Sequence, residues 1–208
     1  MRQPPSAPGF VYLASQSPRR RQLLEQIGVR CEMLLPGSDE DAESLEAVRP
    51  RESPEVYVER VTRAKLAAAK ARRASRALPA APILCADTTV ALGRRILGKP
   101  VDAADAARML SLLSGRTHRV ITAVAVAGPR RARLLASTSR VRFTALSSAQ
   151  IERYVASGEP FGKAGAYAIQ SAAAAWIERI EGSYTGIMGL PLHETAVLLQ
   201  EAGLDVRP

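Results

Sequence analysis

Aromatic side chains make up only 4% of the 208 residues, so any core must be assembled from Ala, Val, Leu and Ile. No uninterrupted apolar run approaches the ~20 residues that a membrane-spanning helix needs. The first stretch, Met1 to Gly9, carries one Arg and three prolines but lacks the apolar segment of a secretory signal. Cysteine is scarce as well. Cys31 and Cys85 lie far apart, each in an apolar run, and read as small buried hydrophobes rather than a disulfide. Two Cys and two His without ligand spacing exclude a Cys/His metal centre. There is no Ser–His–Asp elbow, no G-x-x-x-x-G-K-[ST] loop and no G-x-G-x-x-G fingerprint. His118 and His193 stand in no catalytic setting. These absences point to a cytoplasmic protein, outside the membrane, with one domain over 1–208 and a flexible extension at 1–9.

What is abundant is positive charge. The formal net charge is +9, and hydrophobic residues at 47% with charged residues at 24% are the balance of a globular chain with a core. Such a charge favours an anionic partner. No zinc-finger spacing, aromatic RNP-like strand or basic tail supports nucleic acid, so a small polyanion such as a nucleotide is expected instead. The arginines among the alanines of Ala67 to Ala77 read as a solvated helix face.

Along the chain, strand and helix signals are interspersed. Phe10 to Ala14 reads as a short strand running into Ser17-Pro18, a helix start that ends at Gly28. Arg30 to Leu35 is strand-like, and Pro36 to Ser53 is a polar, acidic loop. Ser53-Pro54 opens a helix with the stripe Tyr57, Val61, Ala64, Ala68 and Ala71. Ile83 to Leu92, Val120 to Ala127, Leu134 to Phe143 and Ala174 to Ile180 read as strands. Asp102 caps a helix closed by Ser114-Gly115, Ser147 with Gln150 forms a capping box, and a last helix follows Pro191. Gly182 to Gly189 reads as a flexible loop. The expected class is α/β, a mixed twisted sheet flanked by helices.

Five features carry chemistry. In Ser15-Gln16-Ser17-Pro18-Arg19-Arg20-Arg21, three arginines open a helix whose N-terminus is already positive. A phosphate reverses that penalty; the alternative is that exposed arginines are simply screened. Asp87, flanked by apolar strand residues, either meets a cation, a metal or a proton-transfer task, or reaches water at a strand end. Lys99, in Gly98-Lys99-Pro100, adds a cation after a hairpin-like turn, and Lys65 flanks a helical stripe from which it either points inward or snorkels out. Asp39-Glu40-Asp41 with Glu43 either binds a hard cation or is a solvated loop. Cations plus carboxylates without a nucleophile suit metal-assisted attack of water on a phosphoanhydride.

The strings Leu13-Ala14-Ser15-Gln16-Ser17-Pro18-Arg19-Arg20, Ala86-Asp87-Thr88, Gly98-Lys99-Pro100, Leu113-Ser114-Gly115-Arg116-Thr117-His118, Lys163 to Gln170 and Gly189-Leu190-Pro191 resemble the Maf family of nucleotide pyrophosphatases. They follow the family's order over nearly the whole chain. The resemblance implies a hydrolase dependent on a divalent metal, Mg²⁺ or Mn²⁺, with its cleft between two lobes, and commonly a homodimer. It implies phosphate contacts from Ser15, Arg19, Arg20, Lys65 and Lys99, Asp87 as catalytic base, and a metal held by Asp87 with Glu40. Arg19, Thr88 and Gln170 stand at positions that separate subgroups, and their combination resembles the subgroup acting on dTTP and UTP. The alternatives are the 7-methyl-GTP subgroup, disfavoured by Thr88 and Gln170, and a nucleotide-binding regulator of cell division. One departure is Ser171-Ala172-Ala173-Ala174, where the family usually carries a glycine pair; less backbone freedom there bears on the base pocket.

Overall fold

The computed structural model describes residues 9–38, 40–41 and 44–207. Residues 1–8 of the expected N-terminal extension, and Asp39 and Glu43 of the acidic run, lie outside that set. The strands are β1 (Val11–Leu13), β2 (Cys31–Met33), β3 (Ile83–Leu92), β4 (Arg95–Leu97), β5 (Thr117–Ala127), β6 (Ala132–Phe143) and β7 (Ile177–Glu181). The helices are α1 (Pro18–Gln26), α2 (Pro54–Ser75), α3 (Ala103–Leu113), α4 (Ser148–Ala156), α5 (Tyr184–Met188) and α6 (Leu192–Glu201).

One mixed sheet runs in the order β2-β1-β3-β5-β6-β7, with β4 paired to β3. β1 lies parallel to β2 and β3, whereas each neighbouring pair along β3, β5, β6 and β7 is antiparallel. Both faces of β3 and β5 are covered, which is why their sequences are nearly continuous apolar runs. β6 alternates exposed and buried positions toward its end, as expected of a strand with one wet face.

Two main cores give the molecule its lobes. One gathers α3, α4 and the Tyr167 segment around Phe143, and the other packs α1 and α6 on β1 and β3. β3 and β5 contribute residues to both.

Several local expectations need correction. The buried line of α2 runs Tyr57, Val58, Val61, Thr62, Leu66, Ala69, Arg72, while Ala71 is exposed. Leu66 has far more apolar surface to bury than the alanines do, so it sets the face. Ala174 to Ile180 is a 3-10 turn, Ala172–Trp176, before β7 begins. Residues 182–189 contain helix α5, because Ser183 Oγ accepts from Gly186 N and caps it. None of Ser171 to Ala174 adopts positive φ, so the missing glycine pair costs no strain. Among the described residues, no helix is long and apolar enough to cross a membrane.

Candidate active site

The site begins with a gap in the sheet. β1 pairs with β3 only at Ile83 and Leu84, and β4 takes the same edge from Val90 to Leu92. β5 covers the opposite edge throughout. Among the described residues, the β1-side edge from Ala86 to Thr89 has no strand beside it. The chain leaving β1 turns away there into α1, and a cleft of about 830 Å³ opens over that bare edge.

Strand alternation sends Asp87 and Thr88 to opposite faces of β3. On one face, Lys65 Nζ donates to Asp87 Oδ1 at 2.5 Å and to Glu46 Oε1 at 2.7 Å. Lys99 Nζ donates to Glu46 Oε2 at 2.8 Å. Lys65 therefore points inward, held by two carboxylates. Asp87 is only 6% exposed, and burial raises its pKa although Lys65 opposes the shift. For Glu46 burial acts in the same direction, but Lys65 and Lys99 together hold its carboxyl below the usual range.

Glu46 is fixed by its segment. Tyr57 Oη donates to the Glu46 carbonyl, and Arg60 donates to the carbonyls of Leu45 and Ala47. Arg60 also pairs with Glu52, so α2 carries a rigid flap over the cleft. Sequence reasoning had passed over Glu46. Its one signal was a glutamate inside the polar loop, indistinguishable there from its neighbours.

On the other face, Arg20 gathers the remaining groups. Its Nε donates to Gly189 O at 2.7 Å, Nη1 to Ser15 Oγ at 3.0 Å and Nη2 to Thr88 Oγ1 at 3.4 Å. Gly189 has φ +116, and a Cβ there would stand 3.6 Å from both Arg20 Nε and Thr88 Oγ1. Thr88 Oγ1 also lies 2.9 Å from Thr122 Oγ1. Ser17 provides no side-chain cap to α1; instead Ser15 Oγ accepts from Ser17 N at 3.2 Å. Arg19 is half-buried with no side-chain hydrogen bond or ion pair among the described residues, and burial lowers its pKa.

Gln170 is exposed, lines the cleft and makes no side-chain hydrogen bond among the described residues. Its segment is anchored two ways. His118 Nε2 and Tyr167 Oη lie 2.8 Å apart in the core, and Gly165 N donates to Gly98 O at 3.0 Å. His118 is 2% exposed with its pKa pushed down to about 4 by burial, the mark of a structural histidine.

Glu40 stands differently from expectation. Arg72 grips both of its oxygens, at 2.7 and 2.5 Å, and Gly37 N donates to one of them. This neutralises Glu40 and lowers its pKa to about 2, so the second carboxylate beside Lys65 is Glu46. Arg72 is correspondingly not on a solvated face; it is 6% exposed and donates to Leu34 O. Asp87, Thr88, Ser15, Arg19, Arg20, Lys65, Lys99 and Gln170 line one cleft, and Glu40, gripped by Arg72, lines it as well.

Comparison with known proteins identifies relatives over nearly the whole chain. A dTTP/UTP pyrophosphatase of Albidiferax ferrireducens is 64% identical over 197 residues, 95% of this chain and 98% of its own length. One of Polaromonas sp. is 64% identical over 200 residues, covering 96% and 99% of the two chains. A third, of Ralstonia nicotianae, is 60% identical over 206 residues, 98% of this chain and all of its own. The family model described as Maf-like protein matches residues 10–202, from just before β1 to the end of α6. With that span and full-length relatives at such identity, the chain belongs to the Maf family.

Proposed function

We propose that this protein hydrolyses dTTP and UTP to the monophosphate and pyrophosphate. The observation that carries the reading is one cleft lined by Arg19, Arg20, Lys65 and Lys99 around the buried carboxylate of Asp87, where among the described residues no serine or threonine hydroxyl hydrogen-bonds to a histidine or carboxylate side chain. Four cations suit a triphosphate, and Asp87 suits a water molecule. The substrate choice draws on the relatives named dTTP/UTP pyrophosphatase and on Gln170, which is free to meet a base edge.

In this reading Arg19 and the Ser15–Arg20 pair hold phosphate oxygens at the start of α1, where backbone N–H groups also face the anion. Lys65 and Lys99 each keep N–H donors beyond those spent on carboxylates, since an ammonium has three. Asp87 takes a proton from water as its oxygen attacks the α-phosphorus; the bond to the β-phosphate oxygen breaks and pyrophosphate leaves.

A divalent ion fits the donor set only in company with the substrate. Among the described residues no three His, Cys, Asp or Glu side chains converge to hold one. Mg²⁺ is commonly held by one or two carboxylates together with substrate phosphates, and Asp87 with Glu46 offers that number. In place of Glu40, these two would hold it. When bound, it would neutralise phosphate charge and make water more acidic.

The experiment is product analysis. Purified protein with Mg²⁺ or Mn²⁺ should convert dTTP and UTP to monophosphate and pyrophosphate. Orthophosphate with diphosphate as products would mean attack at the γ-phosphorus and overturn the reading.

A further inference from the structure

Phe161 is one of three phenylalanines in the chain, yet it stands 42% exposed and lines the cleft. It packs into none of the apolar clusters among the described residues. Water is a poor neighbour for an aromatic ring, so a ring left open inside a ligand cleft invites a flat partner.

Its turn is firmly built. α4 ends at Ala156, the chain turns through Gly158, whose φ is +78, and Phe161 N donates back to Gly158 O. Lys163 Nζ donates to the carbonyl of Glu159, closing the turn on itself. Beyond it, Gly165 N donates to Gly98 O, and Gly165 lies so close to Val90 that a Cβ would stand 2.9 Å from it. Phe161 is thereby held at a fixed place in the cleft that Gln170 also lines, while the turn after β1 brings Ser15 and α1 brings Arg19 and Arg20.

We propose that Phe161 is a stacking platform for the nucleobase, taking the face of the ring while Gln170 meets its edge. The inference rests on the reading of the cleft as a nucleoside triphosphate site. Stacking is indifferent to base identity because every base has a π-face. Phe161 therefore governs affinity for nucleotides over base-free phosphates, and Gln170 governs the choice among bases.

The test uses the full chain with Phe161→Ala, Phe161→Tyr and Phe161→Trp, on dTTP and on deoxyribose 5′-triphosphate lacking the base. Phe161→Ala should raise KM for dTTP on the order of tenfold with kcat little changed, from the usual contribution of one base–aromatic stack. Phe161→Tyr should restore it, and the base-free compound should be handled alike by wild type and Phe161→Ala. An unchanged KM for dTTP, or an equal loss on both compounds, overturns the proposal. In Phe161→Trp, dTTP should quench the added fluorescence beyond any change at Trp176 in the wild type, and the base-free compound should not. Quenching without pyrophosphate release would sink the hydrolase reading and leave stacking standing; release without quenching does the reverse.

Discussion

Lys65 Nζ sits 2.5 Å from Asp87 Oδ1, closer than to any other group it touches among the described residues. The contact joins the middle of α2 to the bare edge of β3. It also opposes the effect of burial on Asp87, keeping a carboxylate that is costly to ionise within reach of ionisation.

The first prediction follows for pH. Asp87 accepts a proton only when ionised, and burial raises its pKa above the ordinary 3.8. The acid limb of kcat/KM should therefore lie above that value, activity rising with pH through it. Asp87→Asn should lose ~10²–10⁴-fold in rate and lose that limb. A raised carboxyl pKa means that ionisation costs stability above it, so the Asn variant should melt no lower than wild type at neutral pH. An Asn variant with near-normal turnover contradicts the role.

Lys65 and Lys70 make a matched pair for the second. Both are on α2, but Lys65 is mostly buried against the two carboxylates and Lys70 is exposed. A charge-assisted bond contributes roughly 1.5–3 kcal/mol, so Lys65→Ala should lose about tenfold to a hundredfold in kcat/KM. Lys70→Ala should be silent. Equal losses would show that only the overall positive field matters.

The third concerns Gln170. Its amide offers a donor and an acceptor, the complement of a thymine or uracil edge. Gln170→Glu sets a carboxylate against a pyrimidine carbonyl, a mismatch of ~1–3 kcal/mol. The efficiency ratio of dTTP to GTP and 7-methyl-GTP should fall by roughly tenfold to a hundredfold. If all triphosphates decline together, Gln170 does not read the base.

Arg72 supplies a stability prediction. Arg72→Ala removes its pair with Glu40 and its bond to Leu34 O, and should cost about 2–3 kcal/mol, discounted because Glu40 is partly solvated. Glu40 has its pKa lowered from 4.5 to about 2. The stabilisation is thus present in full above 4.5 and fades as pH falls toward 2. Urea unfolding of wild type and variant should show a gap that narrows over that range, as the Glu40 pair is lost and the bond to Leu34 O remains; coincident midpoints at neutral pH would refute it.

The long strands and the capped helices were legible because their signals are local. Ile83–Leu92 is an apolar and β-branched run interrupted only by Asp87, and Ser147 with Gln150 makes both bonds of its capping box. The cations and Asp87 were readable as chemistry, the first for crowding a positive helix terminus and the second for its apolar setting. Arg72 and Glu46 were not. An arginine between alanines reads as solvated until tertiary structure brings Glu40 and the Leu34 carbonyl to it. Glu46 acquires meaning only from Lys65, 19 residues on, and Lys99, 53 residues on.

β3 and β5 run unbroken through both lobes with nine successive residue pairs between them. A ladder of that length resists bending, because folding it at any point would break backbone bonds on both strands. There is accordingly no hinge at the waist of this molecule. Ligand therefore enters and leaves over the bare edge of β3, between walls whose spacing the β3–β5 ladder holds fixed.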